Sequence, residues 1–190
     1  MEAQSSSEQT IGDTPDVSVS AGRAPALAST GCCTPFDPTT WDEDEITWNE
    51  KVFVMDRVHR FFHVPLDVRR KVQKGMRLIR ESDAVTEEAL ILCDEGSAWG
   101  ADLYIGTPQA TAGSKTVLIS GTFLTKVYEG AYRELPHWVA DMRRYVASKG
   151  QFLKRIYSSY TTCSRCAKAY GRNYVILFAE VDTPAYVSQA

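Results

Sequence analysis

Apolar and polar residues alternate along this chain in two periods, and the two periods follow one another in the same order twice. KVFVMDRVHRFF, from Lys51, has the period of a strand. VPLDVRRKVQKGMRLIRESD puts Val68, Val72, Met76 and Ile79 on one face, which predicts a helix with Asp67 placed to cap it. EALILCDEG and GADLYIGTPQ read as two strands, joined by the turn GSAWG. The order then returns. KTVLISGTFLTKVYEG reads as a strand and ELPHWVADMRRYVASKG as a helix, with Leu135, Trp138, Val139, Met142 and Val146 as its apolar stripe. Pro136 stands near the start of that helix, where a missing N–H does no harm, and Gly150 ends it. LKRIYSSYTT and NYVILFAEVD close the chain as strands, and the loop between them carries a CxxC.

This pattern predicts an α+β domain over residues 51–185, built from two strand–helix–strand–strand repeats at about 51–107 and 115–182. Two such units can pair their sheets edge to edge. Both helices would then pack on the convex face, leaving a groove between the repeats on the other face, a common place for small molecules. Residues 1–30, rich in Ser, Ala, Thr and Gly, bury little and read as a disordered tail. Residues 31–50 read as a loop, its acidic run Asp42–Glu45 solvated and Trp41 and Trp48 pinning it to the body.

Composition narrows the function classes. The chain has 190 residues, 44% of them hydrophobic and 24% charged, as in an ordinary soluble domain. A net charge of -3 offers no broad basic surface, so nucleic acid is not an expected partner. No apolar run approaches the roughly 20 residues of a membrane helix. No basic-then-apolar leader opens the chain, and the expectation is a cytoplasmic protein without membrane contact. In that compartment cysteines are reduced, metal-bound or catalytic rather than bridged.

Cys163 and Cys166 have the spacing of half a metal knuckle. Cys32 and Cys33 can supply the other half, giving four thiolates that suit tetrahedral zinc. Such a site is closed to water, so it would tie the N-terminal loop to the second repeat rather than catalyse. The competing readings are reduced cysteines without metal and a redox pair. A redox CxxC wants a helix N-terminus after a strand of a thioredoxin-like unit, a different pattern from this one. Cys93, inside LILCDEG, reads as a small buried strand residue. A nucleophilic role would need a base, and His59 and His63 are the histidines of the first repeat.

Glu95 stands beside the GSAWG turn and its Trp99. An apolar pocket there would raise its pKa and suit it to acid–base work; a solvated turn is the alternative. Glu129, after Tyr128 at a strand end, is a comparable candidate. Asp102 and Tyr104 share a strand face, whereas Tyr157 and Tyr160 point to opposite faces. Trp99 and Trp138 are candidate aromatic walls, although Trp138 also fits the helix core stripe. The chain carries no phosphate loop, Ser-His-Asp order, HExxH or dinucleotide fingerprint.

VYEGAYRELPHW is similar to the second half of GyrI-like domains, in which an aromatic-Gly-aromatic turn leads into a Leu-Pro-Trp helix. The resemblance extends over about residues 51–182, the first repeat matching only in order of elements. The stretch from GCC through CSRCAKAYGRNYV also resembles bacterial proteins described loosely as hydrolases that carry both cysteine pairs. The resemblance implies a pseudo-twofold domain whose groove binds bulky cationic or aromatic small molecules. In some members a groove carboxylate and aromatic side chains hydrolyse cyclopropane-containing toxins. Where that family often has a Glu early in its last strand, this chain has Asn173 and Tyr174. The expected catalytic set is therefore Glu95, Glu129 and Tyr174, with Trp99, Asp102, Tyr104, Tyr160 and Asn173 around the ligand. The function implied is hydrolysis of a reactive or strained natural product, in detoxification, self-resistance or biosynthetic tailoring. The alternatives are a non-catalytic sensor or sequestering module, and an interaction protein that uses the zinc loop.

Overall fold

The structure is a computed structural model that describes residues 33–61, 64–65, 67–84, 89–96 and 100–182. The tail expected over 1–30 lies outside the described residues, as do Cys32, His63 and Trp99. Seven strands and three α-helices appear among the described residues: β1 (Glu45–Phe61), β2 (Val64–Pro65), α1 (Val68–Glu81), β3 (Ile91–Asp94), β4 (Gly100–Gly106), β5 (Lys115–Glu129), α2 (Leu135–Ser148), β6 (Phe152–Tyr160), α3 (Ser164–Tyr170) and β7 (Tyr174–Asp182).

All strand pairs are antiparallel. Their order is β2-β1-β4-β3-β6-β7-β5, and β5 pairs back onto β1. The sheet therefore closes into a six-stranded barrel, with β2 as a short appendage on β1. The α+β class is as the pattern predicts. The open groove on the face away from the helices is not. Closure turns that face inward, and Phe53, Leu92, Tyr104, Phe123, Tyr157, Ile176 and Phe178 fill it. Trp48 lies over Phe123 with ring centroids 4.2 Å apart. Bulky inward positions on six strands leave the barrel packed rather than hollow.

α1 and α2 pack outside the barrel. α1 sets Val68, Val72, Met76 and Ile79 against Val54, Val58, Leu103 and Ile105. α2 sets Leu135, Trp138, Val139, Met142 and Val146 against Leu124, Ile156, Val175, Leu177 and Val181. Both stripes match their predicted 3.6-residue period.

Three local features depart from the sequence reading. β1 begins at Glu45, inside the segment expected as loop, and crosses a bulge between Trp48 and Lys51 where Glu50 has φ 49°. The bulge lets Trp48 face the barrel interior before the strand resumes. Asp67 precedes α1 but makes no capping bond. Its carboxylate instead accepts from His59 N at 3.0 Å and pairs with His59 Nδ1 at 3.1 Å. Burial pushes the Asp67 pKa up, but the bonds from His59 outweigh it and hold the group below its ordinary value. Finally, the CxxC lies at and within α3 rather than in a loop. Cys163 is the N-cap and Gly171, at φ 69°, ends the helix in the left-handed conformation that glycine tolerates best.

Candidate functional site

β3 and β6 form one of the two seams between the halves of the chain, the other being β1 with β5; Cys93 lies opposite Ser158 and Asp94 opposite Tyr157. Strand alternation gives this seam two faces. Asp94 and Tyr157 point into the barrel. Cys93, Glu95, Ser158 and Tyr160 share the outer face, which also carries the helices.

On the outer face, Glu95 N donates to Ile156 O at 3.0 Å and extends the pairing by one residue. The fully buried Ser158 hydroxyl donates to Glu95 Oε1 at 2.5 Å. Tyr160, two residues on from Ser158, stacks on Tyr132 with centroids 5.2 Å apart and planes at 20°. Burial pushes the Tyr160 hydroxyl pKa well up, and the neighbouring Tyr132 adds to the shift. The phenol therefore stays neutral and able to donate. Its oxygen is buried and makes no hydrogen bond among the described residues. The seam thus joins a half-buried carboxylate, a buried hydroxyl that orients it and a neutral phenol. That set can accept a proton from water and donate to a leaving group. Cys93 lies buried beside it, opposite Ser158.

The inner face is polar only at its rim. Arg155 lies 3.9 Å from Asp94 and 5.8 Å from the centre of the Tyr157 ring. The Tyr157 hydroxyl donates to Glu180 Oε2 at 3.4 Å. Asp102 pairs with Arg57 at 3.2 Å, and Tyr104 stands edge-on to Tyr157 at 5.8 Å, 5% exposed.

The remaining candidates gather at the start of β7. Glu129 lies 3.9 Å from Arg172 and lines a shallow cleft of about 440 Å³ with Gly130, Lys168 and Asn173. Asn173 Nδ2 donates to Gly130 O at 2.6 Å, while Gly130 N donates to Asn173 O at 3.0 Å. The Asn173 side chain is thus engaged in closing the turn. Tyr174 accepts from Arg172 Nη1 at 2.7 Å and packs on Phe36. The expected site residues therefore fall into three groups: Glu95 with Tyr160, Asp102 with Tyr104, and Glu129 with Asn173 and Tyr174. Ser158 and Tyr132 were not singled out from sequence. Strand register alone could have found Ser158, by pairing it with Cys93.

Beside the third group, the sulfurs of Cys33, Cys163 and Cys166 lie within 4.8 Å of one another. Cys163 N donates to Cys33 Sγ at 3.4 Å, and the sulfurs of Cys163 and Cys166 are 3.4 Å apart. Zinc–sulfur bonds of about 2.3 Å in a tetrahedron put sulfurs roughly 3.8 Å apart, so the three thiols fit a metal with small side-chain adjustments. Cys166 is buried, Cys33 half-buried and Cys163 exposed.

The antiparallel barrel with α1 and α2 packed outside it has a GyrI-like fold. The chain matches the Bacterial hydrolase family over residues 24–181 and belongs to it. Among solved structures, it is similar to the EcmrR C-terminal domain, with 11% identity, a TM-score of 0.60, and coverage of 75% of this chain and 98% of that one. A hydrolase from Listeria innocua is similar at 14% identity and a TM-score of 0.54, over 75% of this chain and 92% of that one. An uncharacterized conserved protein from Listeria innocua is similar at 16% identity and a TM-score of 0.55, over 73% and 91%. At these identities the likeness is one of fold. No curated protein matches. Family and fold together support a hydrolytic or small-molecule-binding role. No helix among the described residues is long and apolar enough to cross a membrane.

Proposed function

We propose that this protein is a small-molecule hydrolase whose working carboxylate is Glu95. The observation that carries the reading is the hydrogen bond from buried Ser158 to Glu95 at the β3–β6 seam. A carboxylate that already accepts one oriented bond is fixed in direction, as a general base requires. Glu95 takes a proton from water as the water oxygen bonds to the substrate carbon. The bond from that carbon to the leaving atom breaks, Tyr160, held neutral by burial, hydrogen-bonds the leaving atom without giving up its proton, and the proton taken by Glu95 passes to the leaving atom. Tyr132 and Trp99 are the aromatic surfaces for the substrate. Glu129 is the weaker candidate, because it is exposed and faces Arg172.

The substrate class is a reactive or strained natural product, for example a cyclopropane-bearing one, met in detoxification, self-resistance or biosynthetic tailoring. This class comes from the resemblance to GyrI-like hydrolases. Incubating the protein with a panel of electrophilic natural products, with mass spectrometry for addition of one water, tests it. Glu95→Gln is expected to lose about 10²–10⁴-fold in turnover while still binding. Full activity in Glu95→Gln rules out the assignment, and tight binding with no turnover by the native protein makes it a binding module.

The cysteine cluster takes zinc in this reading, with Cys32 as the fourth thiolate beside Cys33, Cys163 and Cys166. Four thiolates leave no position for water, so its role is structural.

A further inference from the structure

The segment ahead of β1 crosses one end of the barrel. On β5, the Thr125 hydroxyl donates to Trp41 O at 2.7 Å, Thr125 N to Asp44 O at 2.8 Å and Val127 N to Asp42 Oδ1 at 3.0 Å. Over β7, the Trp41 ring meets Phe178 edge-on at 5.6 Å and Phe36 lies 5.6 Å from Tyr174. At α3, the Tyr170 hydroxyl donates to Cys33 O and Cys163 N to Cys33 Sγ. Beneath Phe36 and Trp41 is the inward aromatic cluster of the barrel.

The segment is thus fastened at two ends of different kinds. Its β1 end is covalent and held by hydrogen bonds to β5 and by the Lys126–Glu43 ion pair at 3.4 Å. Its far end reaches the body at the cysteine cluster. Between them, two half-buried rings must offset the entropy of ordering a segment whose regular structure is one 3-10 turn, Pro38–Thr40. A metal held by Cys33 on the segment and by Cys163 and Cys166 on the body would add a far stronger tie to the hydrogen bonds that Tyr170 and Cys163 make there.

We propose that the cysteine centre is a latch: with zinc bound, residues 33–44 close the aromatic end of the barrel, and without zinc they lift and open it to flat apolar ligands. The surface uncovered would be the rings of Phe178 and Tyr174, with Trp48 and Phe123 behind them. This goes beyond the hydrolase reading and rests on zinc binding at the cluster, so the two are measured separately.

The experiment uses the full chain purified under reducing conditions. Elemental analysis is expected to find zinc in proportion to protein. Chelation is then expected to raise hydrogen exchange in residues 33–44 by about tenfold or more, with β3 and β4 unchanged. Anilinonaphthalene sulfonate fluorescence should rise several-fold, and zinc addition should reverse both effects. Cys163→Ser should behave like the chelated protein. Phe36→Ala with Trp41→Ala should keep its zinc yet bind the dye, which tests the lid even if the cysteine variant fails to fold. Absence of zinc overturns the centre and with it the latch. Zinc loss without faster exchange in 33–44, or with equal acceleration throughout the barrel, overturns the latch alone. So does a double aromatic variant that keeps zinc and binds no more dye than the native protein.

Discussion

Replacing Ser158 by Ala removes a single oxygen from a fully buried position and leaves the strand and its Cβ intact. What is lost is the bond to the Glu95 carboxylate. A hydrogen bond to a charged group contributes about 1.5–3 kcal/mol, and little packing is lost with it. For a chain of this size each kcal/mol moves Tm by about 2–4 °C, so the expected fall is roughly 3–12 °C. The same change made in Glu95→Gln should cost only about 0.5–1.5 kcal/mol, because Gln still accepts the bond but carries no charge. The coupling between the two positions should then be on the order of 1 kcal/mol. Urea unfolding near neutral pH, followed by tryptophan fluorescence, measures all four proteins of the cycle. A Ser158→Ala cost under about 0.5 kcal/mol, or the same cost with and without the charge, would refute the pairing. On a turned-over substrate, Ser158→Ala should lose less activity than Glu95→Gln, since it removes orientation and leaves the base.

Gly130 has φ 149° at the turn after β5, and a Cβ there would stand 3.1 Å from the Trp138 ring. Gly130→Ala should therefore cost on the order of 1–3 kcal/mol in denaturant unfolding. Asp141 is held below its ordinary pKa by hydrogen bonds from Lys126 first and Tyr128 second. The unfolded chain takes up that proton first, near pH 3.9, so the stability it provides is present above that value and lost as pH falls through the lower folded value. Asp141→Asn should flatten this acid limb in a pH series of unfolding curves. Phe178→Ala, in the packed barrel interior, should cost about 3–5 kcal/mol by the same assay. A much smaller value would mean that the interior is loose enough to admit ligand.

Both helices were legible because a 3.6-residue stripe is a local signal, and every predicted stripe residue of α2 packs where the pattern puts it. Barrel closure was not legible. It depends on β1 pairing with β5 across a bulge, from Glu45 opposite Leu124 to Met55 opposite Lys115, and no short window of sequence contains that pairing. The length of β1 was hidden for the same reason. Asn49 and Glu50 look like a turn, and only the partner strand shows that the chain passes through a bulge and goes on. α3 was missed because seven residues are too few to show a helical period, although Gly171 is placed where a helix end favours glycine. Glu95 could be picked out by its place beside a tryptophan-bearing turn. Ser158 could not, since a serine in a strand means nothing until its partner is known.

The choice between the two faces of the seam rests on what each has already spent. Inside the barrel, Arg155 faces Asp94, Asp102 holds Arg57, and Glu180 takes both Lys154 at 2.9 Å and the Tyr157 hydroxyl. The charges at that rim are paired with one another, and the aromatic rings below them pack on their own neighbours. A substrate entering there would have to break ion pairs and displace rings. On the outer face, the Ser158 hydroxyl donates to Glu95, and the Tyr160 oxygen next to it is buried. A hydroxyl orients a carboxylate without neutralising it. A polar ligand at the outer face meets an oriented carboxylate and a buried phenol, whereas at the inner rim it would break ion pairs. The seam has two residue pairs in register, so a one-residue slip of β3 would turn Glu95 inward, away from Ser158, which the pairing of β6 with β7 holds outward. The chemistry of the protein thus depends on the register of its shortest barrel strand, β3.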